Sequence, residues 1–427
     1  MAIVIPTTGF LLQKFTTRQV FIAAMTLFSM GTLIAFLAGI LGGPAYPQLL
    51  VARVVQASGT AIMMPLLMTT LMTLVPAHSR GRMMGRVSIV ISLAPAIGPS
   101  VAGLLLDSVG WRWIFGMILP IALVSLAIGA KWVHNLAEPK DAPIDVLSII
   151  LSAFGFGGLI YGLTRIGGHG TGAAAAASNT MMFGALAVGL VALALFVWRQ
   201  FVLQRADDAL LDLRVFRSRN FTISILMMLV VSLAFFGTIT VLPLFLQSAM
   251  NLSALQTGLL VLPGALAMGL LGPVIGRVYD ARGPRLLLVP GTALAAAVLW
   301  FYSTVGESTP IWVIAVAQTA LSIGLALTFT PLFTASLASV QPKFYSHGSA
   351  VLSTIQQVAG AAGIALMIAV LSAVAVSAEL GGASQAAGGA AGARAAFLIG
   401  AILTTATIVG AFLVEKPDES VPTHAAH

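Results

Sequence analysis

The sequence contains no cysteine, which excludes disulfides and thiolate metal sites. Charge is scarce as well: Asp, Glu, Lys and Arg make up 8% of 427 residues, against about 25% in soluble domains. With 59% apolar residues, such a chain is suited to lipid rather than water. Only five lysines occur, and none lies in a G-x-x-x-x-G-K-[ST] loop, so there is no phosphate cradle and ATP is not the direct energy source. None of the thirteen acidic residues falls in the middle of an apolar run. The histidines, His78, His134, His169, His347, His424 and His427, fall in connections or the tail, where solvated rings are expected and metal ligands are not. No catalytic dyad or metal-ligand spacing appears, so neither an enzyme, a metal nor a cofactor is expected.

What is present is a succession of apolar runs. Runs of roughly 17 to 25 residues cross a hydrocarbon core of about 30 Å as helix. Twelve complete spans are read at 19–41, 46–75, 85–107, 113–133, 146–166, 181–202, 221–246, 257–279, 286–302, 311–340, 350–376 and 395–414. Barrel strands would instead alternate over about ten residues. The expected fold class is therefore all-α, a polytopic membrane protein.

The net charge of +8 follows topology and does not point to nucleic acid. Seventeen of 21 basic residues lie in alternate connections: Lys14 and Arg18; Arg80, Arg82 and Arg86; Lys131 and Lys140; Arg199, Arg205, Arg214, Arg217 and Arg219; Arg277, Arg282 and Arg285; Lys343; and Lys416. The intervening connections hold Arg112, Arg165 and Arg394, and Arg53 lies within a span. The positive-inside rule makes the rich side cytoplasmic, with the C-terminus on that side. Residues 1–12 are too few to span and lack the basic start of a signal peptide. They read as the inner half of a truncated helix, with another helix absent before it.

The stretch from Gly9 through Gln13 to Arg18 recurs 267 residues later as Gly276 through Asp280 and Gly283 to Arg285. Gly81 and Gly348 share that offset, each following a proline, Pro76 or Pro342. Two six-helix halves with a two-helix insertion are implied. The expected organisation is an incomplete N-terminal half (1–140), an inserted pair with its linker (141–218), a C-terminal half (219–414) and a tail (415–427).

Both copies resemble the G-x-L-x-D-r-x-G-r-R loop of major facilitator transporters. The second fits better, because the first has Gln13 at the acidic position and Thr16 at a glycine position. Arg53, Gln56 and Gly59 match the family's l-x-x-x-R-x-x-q-G-x-g helix. The run Pro95, Gly98, Pro99 and Gly103 resembles the antiporter pattern g-x-x-x-G-P-x-x-G-G. Trp111, Arg112 and Trp113, and His347 through Gln356 and Gln357 to Gly360, are similar to the fourteen-helix drug:proton antiporter branch. The resemblance implies a major facilitator fold of two six-helix pseudo-repeats plus two inserted helices, lacking the first helix. That missing segment commonly carries the family's aspartate.

An arginine in mid-helix costs at least about 2.5 kcal/mol to insert, so Arg53 is expected to face a cavity or a partner. It serves either as a clamp on a neighbouring helix or in coupling or substrate contact. Pro95 and Pro99, with Gly98 and Gly103, are expected to make a bent, tightly packed helix between the halves. Gln247, Gln318, Gln356, Gln357 and Tyr161 are candidates to line a wide apolar cavity, or to bond across helix pairs; Phe235 and Phe236 are expected to pack. Asp145 is expected to cap a helix.

The function implied is secondary active efflux of hydrophobic or cationic drugs by alternating access in exchange for protons, in a bacterial cytoplasmic membrane. The expected partners are amphipathic small molecules, protons and the bilayer. A transport-incompetent remnant and an exporter of one metabolite remain open, as does a periplasmic adaptor.

Overall fold

A computed structural model of the chain describes residues 3–40, 42–135, 145–165, 173–206 and 208–416. Among the described residues there are thirteen α-helices and no strand. They are α1 Ile5–Lys14, α2 Thr17–Leu37, α3 Ala45–Leu74, α4 Arg80–Ser108, α5 Arg112–Trp132, α6 Val146–Thr164, α7 Ala173–Leu203, α8 Arg219–Ser248, α9 Ala254–Arg282, α10 Arg285–Tyr302, α11 Ile311–Ala338, α12 Tyr345–Leu380 and α13 Gln385–Leu413. Among the described residues, eleven helices are long and apolar enough to cross a membrane. The 29-residue α4 covers the span read at 85–107.

Helix starts follow local chemistry. Thr16 caps α2 in a reciprocal pair with Gln19, and Ser253 does the same for α9 with Gln256. Thr16, which departs from the family's glycine, thus has a structural use. Ser218 and Ser384 cap α8 and α13. Gly283 ends α9 with φ of +79°, a conformation that disfavours side chains. Large apolar side chains such as Leu270, Trp312 and Val90 lie outward at 70% exposure or more, the surface a bilayer covers.

The chain divides into two compact units. The first comprises Met1–Thr70, Pro95–Arg214 and Ser346–Leu366. Its core joins Val20, Ala24, Ile62 and Leu66 from α2 and α3, with Leu11 and Leu12 of α1 against them. A second cluster sets Ala35 and Ala52 against Phe115 of α5. The α6–α7 hairpin packs chiefly on itself. A Cβ on Gly158 would lie 2.8 Å from the Ala185 carbonyl and 3.0 Å from Gly189 Cα, so the two backbones touch without intervening side chains. Phe156 and Phe196 meet edge to face within this hairpin.

The second unit comprises Leu71–Ala94, Val215–Tyr345 and Met367–His427. Helices α8, α10, α11 and α13 pack pairwise, and α9 lies on α11. Gly291 of α10 and Gly324 of α11 bring two backbones together, and Gly264 of α9 admits Ser322 of α11. Tyr302 sits fully buried against Phe397.

Gly158→Val should force α6 and α7 apart and lower stability by about 1–3 kcal/mol. Gly184→Ala, where an added Cβ meets nothing within 4 Å, should leave the thermal midpoint of the detergent-solubilised chain unchanged or slightly raised.

Candidate functional site

Arg53 stands on α3 with its side chain on an exposed face and with defined partners. Its Nη1 donates to Gln56 Oε1 at 3.0 Å, one helical turn on. Gln56 Nε2 donates to Thr32 Oγ1 of α2 at 2.9 Å, and Thr32 donates to the Phe28 carbonyl at 2.7 Å. The guanidinium carbon lies 5.0 Å from the ring centroid of Phe115 on α5. Gln56 and Thr32 are buried, so the chain of bonds carries the arginine's orientation into the α2–α3 contact. Three helices thereby hold one cation in place. Gly31 and Gly59 let α2 and α3 approach closely at the same level.

The second constellation joins α3, α4 and α9 within the second unit. The Asp280 carboxylate accepts from the backbone N–H of Gly81 and of Arg82, both at 2.8 Å. These groups belong to the first turn of α4 and have no partner within their own helix. A carboxylate there also meets the positive end of the helix dipole. Arg80 serves the other side of the connection, donating to the Met72 carbonyl at 2.9 Å and the Val75 carbonyl at 3.2 Å at the end of α3. Its guanidinium also lies over Tyr345, 5.5 Å from the centroid.

Above Asp280, Gly272 and Gly276 of α9 meet Gly85 and Gly81 of α4 backbone to backbone. Both helices carry glycines four apart, so α4 and α9 present matching flat faces. Ser88, one turn on, bonds to Thr330 of α11 at 2.9 Å. At the opposite end Lys416 donates to the Asp280 carbonyl at 3.2 Å.

The sequence-predicted residues are distributed unevenly over these groups. Asp280, Gly276 and Gly283 join the second constellation, and Arg285 pairs at 3.8 Å with Glu415. Gly9 packs on His347 and Ala350 of α12, while Gln13 is half-buried on α1 and Arg18 is exposed at the start of α2. Gln318 is buried and accepts from the Tyr302 hydroxyl at 3.2 Å, a bond across the α10–α11 pair. Tyr161 accepts from Arg165 at 2.9 Å at the end of α6. Gln247 and Gln357 are exposed and Gln356 is half-buried. Phe235 packs edge to face on Phe236 and Phe329.

Three expectations need correction. Among the described residues, a Cβ at Gly98 would meet nothing within 4 Å, and the close approach along α4 is at Gly81 and Gly85. The side-chain surroundings of Pro95, Pro99 and Gly103 lie outside the described residues. Asp145 occupies the N-cap of α6 without a side-chain bond to its N–H groups. It binds Arg199 of α7 through two oxygens instead, at 2.7 and 2.8 Å. His347 is a buried residue in the first turn of α12, 3% exposed, and not a solvated loop histidine. Hydrophobic patterning places such a residue near a helix start but cannot show that another segment covers it.

Sequence reasoning passed over Arg80, Gly85 and Gly272. The Gly81-x-x-x-Gly85 and Gly272-x-x-x-Gly276 spacings are the signal that would have found the helix contact.

A bundle of long apolar helices, with no strand among the described residues, defines a multi-pass helical membrane protein. The chain belongs to the Major Facilitator Superfamily, whose profile matches residues 1–364. It is therefore a membrane transporter and not an enzyme by class. It is 37% identical over 415 residues to the uncharacterized MFS-type transporter YcnB of Bacillus subtilis, covering 97% of this chain and 84% of the relative. It is 37% identical over 373 residues to the lincomycin resistance protein LmrB of Listeria innocua, covering 87% and 76%. A multidrug resistance protein B homolog of Mycobacterium tuberculosis is 29% identical over 378 residues, covering 87% and 67%. Among solved structures, the human organic anion transporter MFSD10 (TETRAN) superposes with a TM-score of 0.62 at 15% identity, over 97% of this chain and 80% of that one. An auto-inhibited POT family peptide transporter gives 0.61 at 17% identity, over 99% and 89%. Both support the fold alone.

Asp280→Ala should destabilise the chain by about 1 kcal/mol, with Asp280→Asn, which keeps an acceptor, costing less; thermal unfolding in detergent reads the order. The Arg199 guanidinium, with help from Ser148, holds the Asp145 carboxyl below its ordinary range. Because the folded value lies below the unfolded value of about 3.9, the pair contributes stability above that pH and loses it as pH falls through the folded value. The gap in thermal midpoint between the native chain and Asp145→Asn should be present at neutral pH and close on acidification below about 4.

Proposed function

We propose that this transporter exports hydrophobic or cationic drugs from a bacterial cytoplasm by alternating access, in exchange for protons. The observation that carries the reading is the Arg53–Gln56–Thr32 chain, which holds a cation on a membrane-spanning helix at the cost of about 2.5 kcal/mol or more. A charge kept at that cost calls for a functional use, and its exposed face leaves it accessible to an amphipathic solute or a coupling ion. Relatives named for lincomycin and multidrug resistance support drug export as the direction and substrate class. The five lysines lie in no phosphate-binding loop, which fits energy drawn from an ion gradient or from the substrate's own.

In this reading the halves 1–140 and 219–414 exchange access to the substrate, and the Asp280 contact with α4 is made and released during the cycle. The connections carrying 17 of 21 basic residues, and the C-terminus, lie in the cytoplasm. The candidate lining residues Tyr161, Gln247, Gln318, Gln356 and Gln357 carry no charge, which suits bulky apolar compounds better than sugars.

Expressed in a susceptible bacterium, the chain should lower accumulation of a fluorescent lipophilic cation, and a protonophore should abolish the effect. Arg53→Ala should reduce energised export at least tenfold at unchanged protein level. Export equal to the native rate would remove Arg53 from the mechanism. A panel of chemically unrelated competitors separates multidrug export from export of one metabolite, since only the former is inhibited by several of them.

A further inference from the structure

A buried polar network extends from the Asp145–Arg199 pair to His347, wholly within the first unit. It starts at the Asp145–Arg199 pair between α6 and α7 and continues through Ser148, which donates to Asp145 and accepts from Gln200 Nε2 at 2.8 Å. Gln200, with no exposed surface, uses its Oε1 to accept from the backbone N–H of Leu211 at 3.1 Å. Leu211 belongs to a strap, residues 208–214, that leaves α7; Ala209, Leu210, Leu211 and Asp212 are all buried. The next amide, Asp212 N–H, donates to Nδ1 of His347 at 3.3 Å. Gly9 of α1 closes the third side, where a Cβ would sit 3.0 Å from the same nitrogen.

The direction of the Asp212–His347 bond fixes the ring's protonation. A backbone amide can only donate, so Nδ1 must carry a lone pair. Imidazole is the side chain whose charge changes near neutral pH, and in its cationic form both nitrogens are donors. Among the described residues, the charged groups on these elements are Asp208, Asp212 and Arg214 of the strap, Lys14 of α1, Lys343 just before α12 and Glu379 near the far end of α12. Asp212 and Arg214 are already paired with each other. An added proton on Nδ1 would therefore face an N–H at hydrogen-bonding distance and a carboxylate committed elsewhere.

We propose that His347 is a proton-binding residue of this transporter, and that protonation at Nδ1 releases the 208–214 strap from α12. A proton taken from hydronium forms an N–H bond with the Nδ1 lone pair, leaving water behind, and the Asp212 N–H loses its acceptor; no other covalent bond changes. The neutral ring belongs to the docked strap, so docking weakens as pH falls through the histidine's titration. The inserted hairpin gains a use by this route: through Gln200 it holds the strap in register with His347. The inference adds a proton site to the export reading, but the docking equilibrium itself needs no substrate.

The chain has no cysteine, so Leu210→Cys places a single thiol at a position 1% exposed. Its rate of modification by a fluorescent maleimide, in the purified full chain, is divided by that of Ala77→Cys at an exposed position. The ratio should rise at least about threefold between pH 7.5 and about 5.5, across the range in which imidazole titrates. With His347→Asn, which keeps an acceptor but takes up no proton, the ratio should stay low at both values. With His347→Leu, which has no acceptor, it should be high at both. A pH-independent ratio in the His347 chain, or a rise that survives His347→Asn, overturns the proposal. Hydrogen exchange of the 209–214 amides, corrected for intrinsic rates, reads the same opening in the unsubstituted chain should Leu210→Cys misfold, and protection there that does not fall with pH also overturns it. Because neither measurement uses substrate, failure of drug export would leave this result standing, and failure here would leave export standing.

Discussion

Helix ends govern this structure. In a bilayer no water reaches the backbone, so each unpaired N–H or carbonyl costs several kcal/mol unless the protein itself supplies a partner. Continuous helices satisfy everything but their first and last turns, and it is there that this chain places its few charges. Arg80 takes up carbonyls at the end of α3, and Asp280 takes up N–H groups at the start of α4. Gln200 does the same for the strap after α7, bonding the Leu211 amide that no helix satisfies. With 8% charged residues, positions such as these carry much of the polar specificity.

Between those ends, packing has to proceed without a hydrophobic drive, since lipid tails are as apolar as the side chains. The chain uses its 43 glycines to bring backbones into contact, as at Gly158 with Gly189, Gly291 with Gly324, and Gly81 and Gly85 with Gly276 and Gly272. Such contacts are rigid because a flat backbone surface tolerates neither insertion of a methyl group nor sliding past it. The Asp280 contact with the α4 amides sets two hydrogen bonds at the end of such a glycine contact, within the second unit.

Much of this was legible in order. The spans at 19–41 through 395–414 needed only hydropathy and length, and thirteen helices follow them closely. The second loop copy, with Asp280 and Gly283, was legible because glycine and acid at a helix end have specific backbone uses. Arg53 was legible because a mid-span guanidinium is costly, and its tie to Gln56 was legible in part, since the two lie three residues apart on one helix face. Its link through Gln56 to Thr32 was not, because sequence distance carries no information about which helices become neighbours. Likewise Gln318 turned out to bond Tyr302, and Asp145 turned from a cap into a partner of Arg199, because each side chain's fate depends on the helix set beside it.

The amino-acid sequence alone determined that this protein lives in a membrane, that it is built of helices, which connections are positive, and the superfamily its loop and helix motifs place it in. Those are consequences of composition, period and local backbone chemistry, and each acts over a turn or two of chain. Only the tertiary structure decided which glycines meet and that His347 is sealed beneath a strap 135 residues away in sequence. The physical reason is that a buried hydrogen bond or a backbone contact needs two partners at fixed distance, and the fold, not the local sequence, brings the second one there.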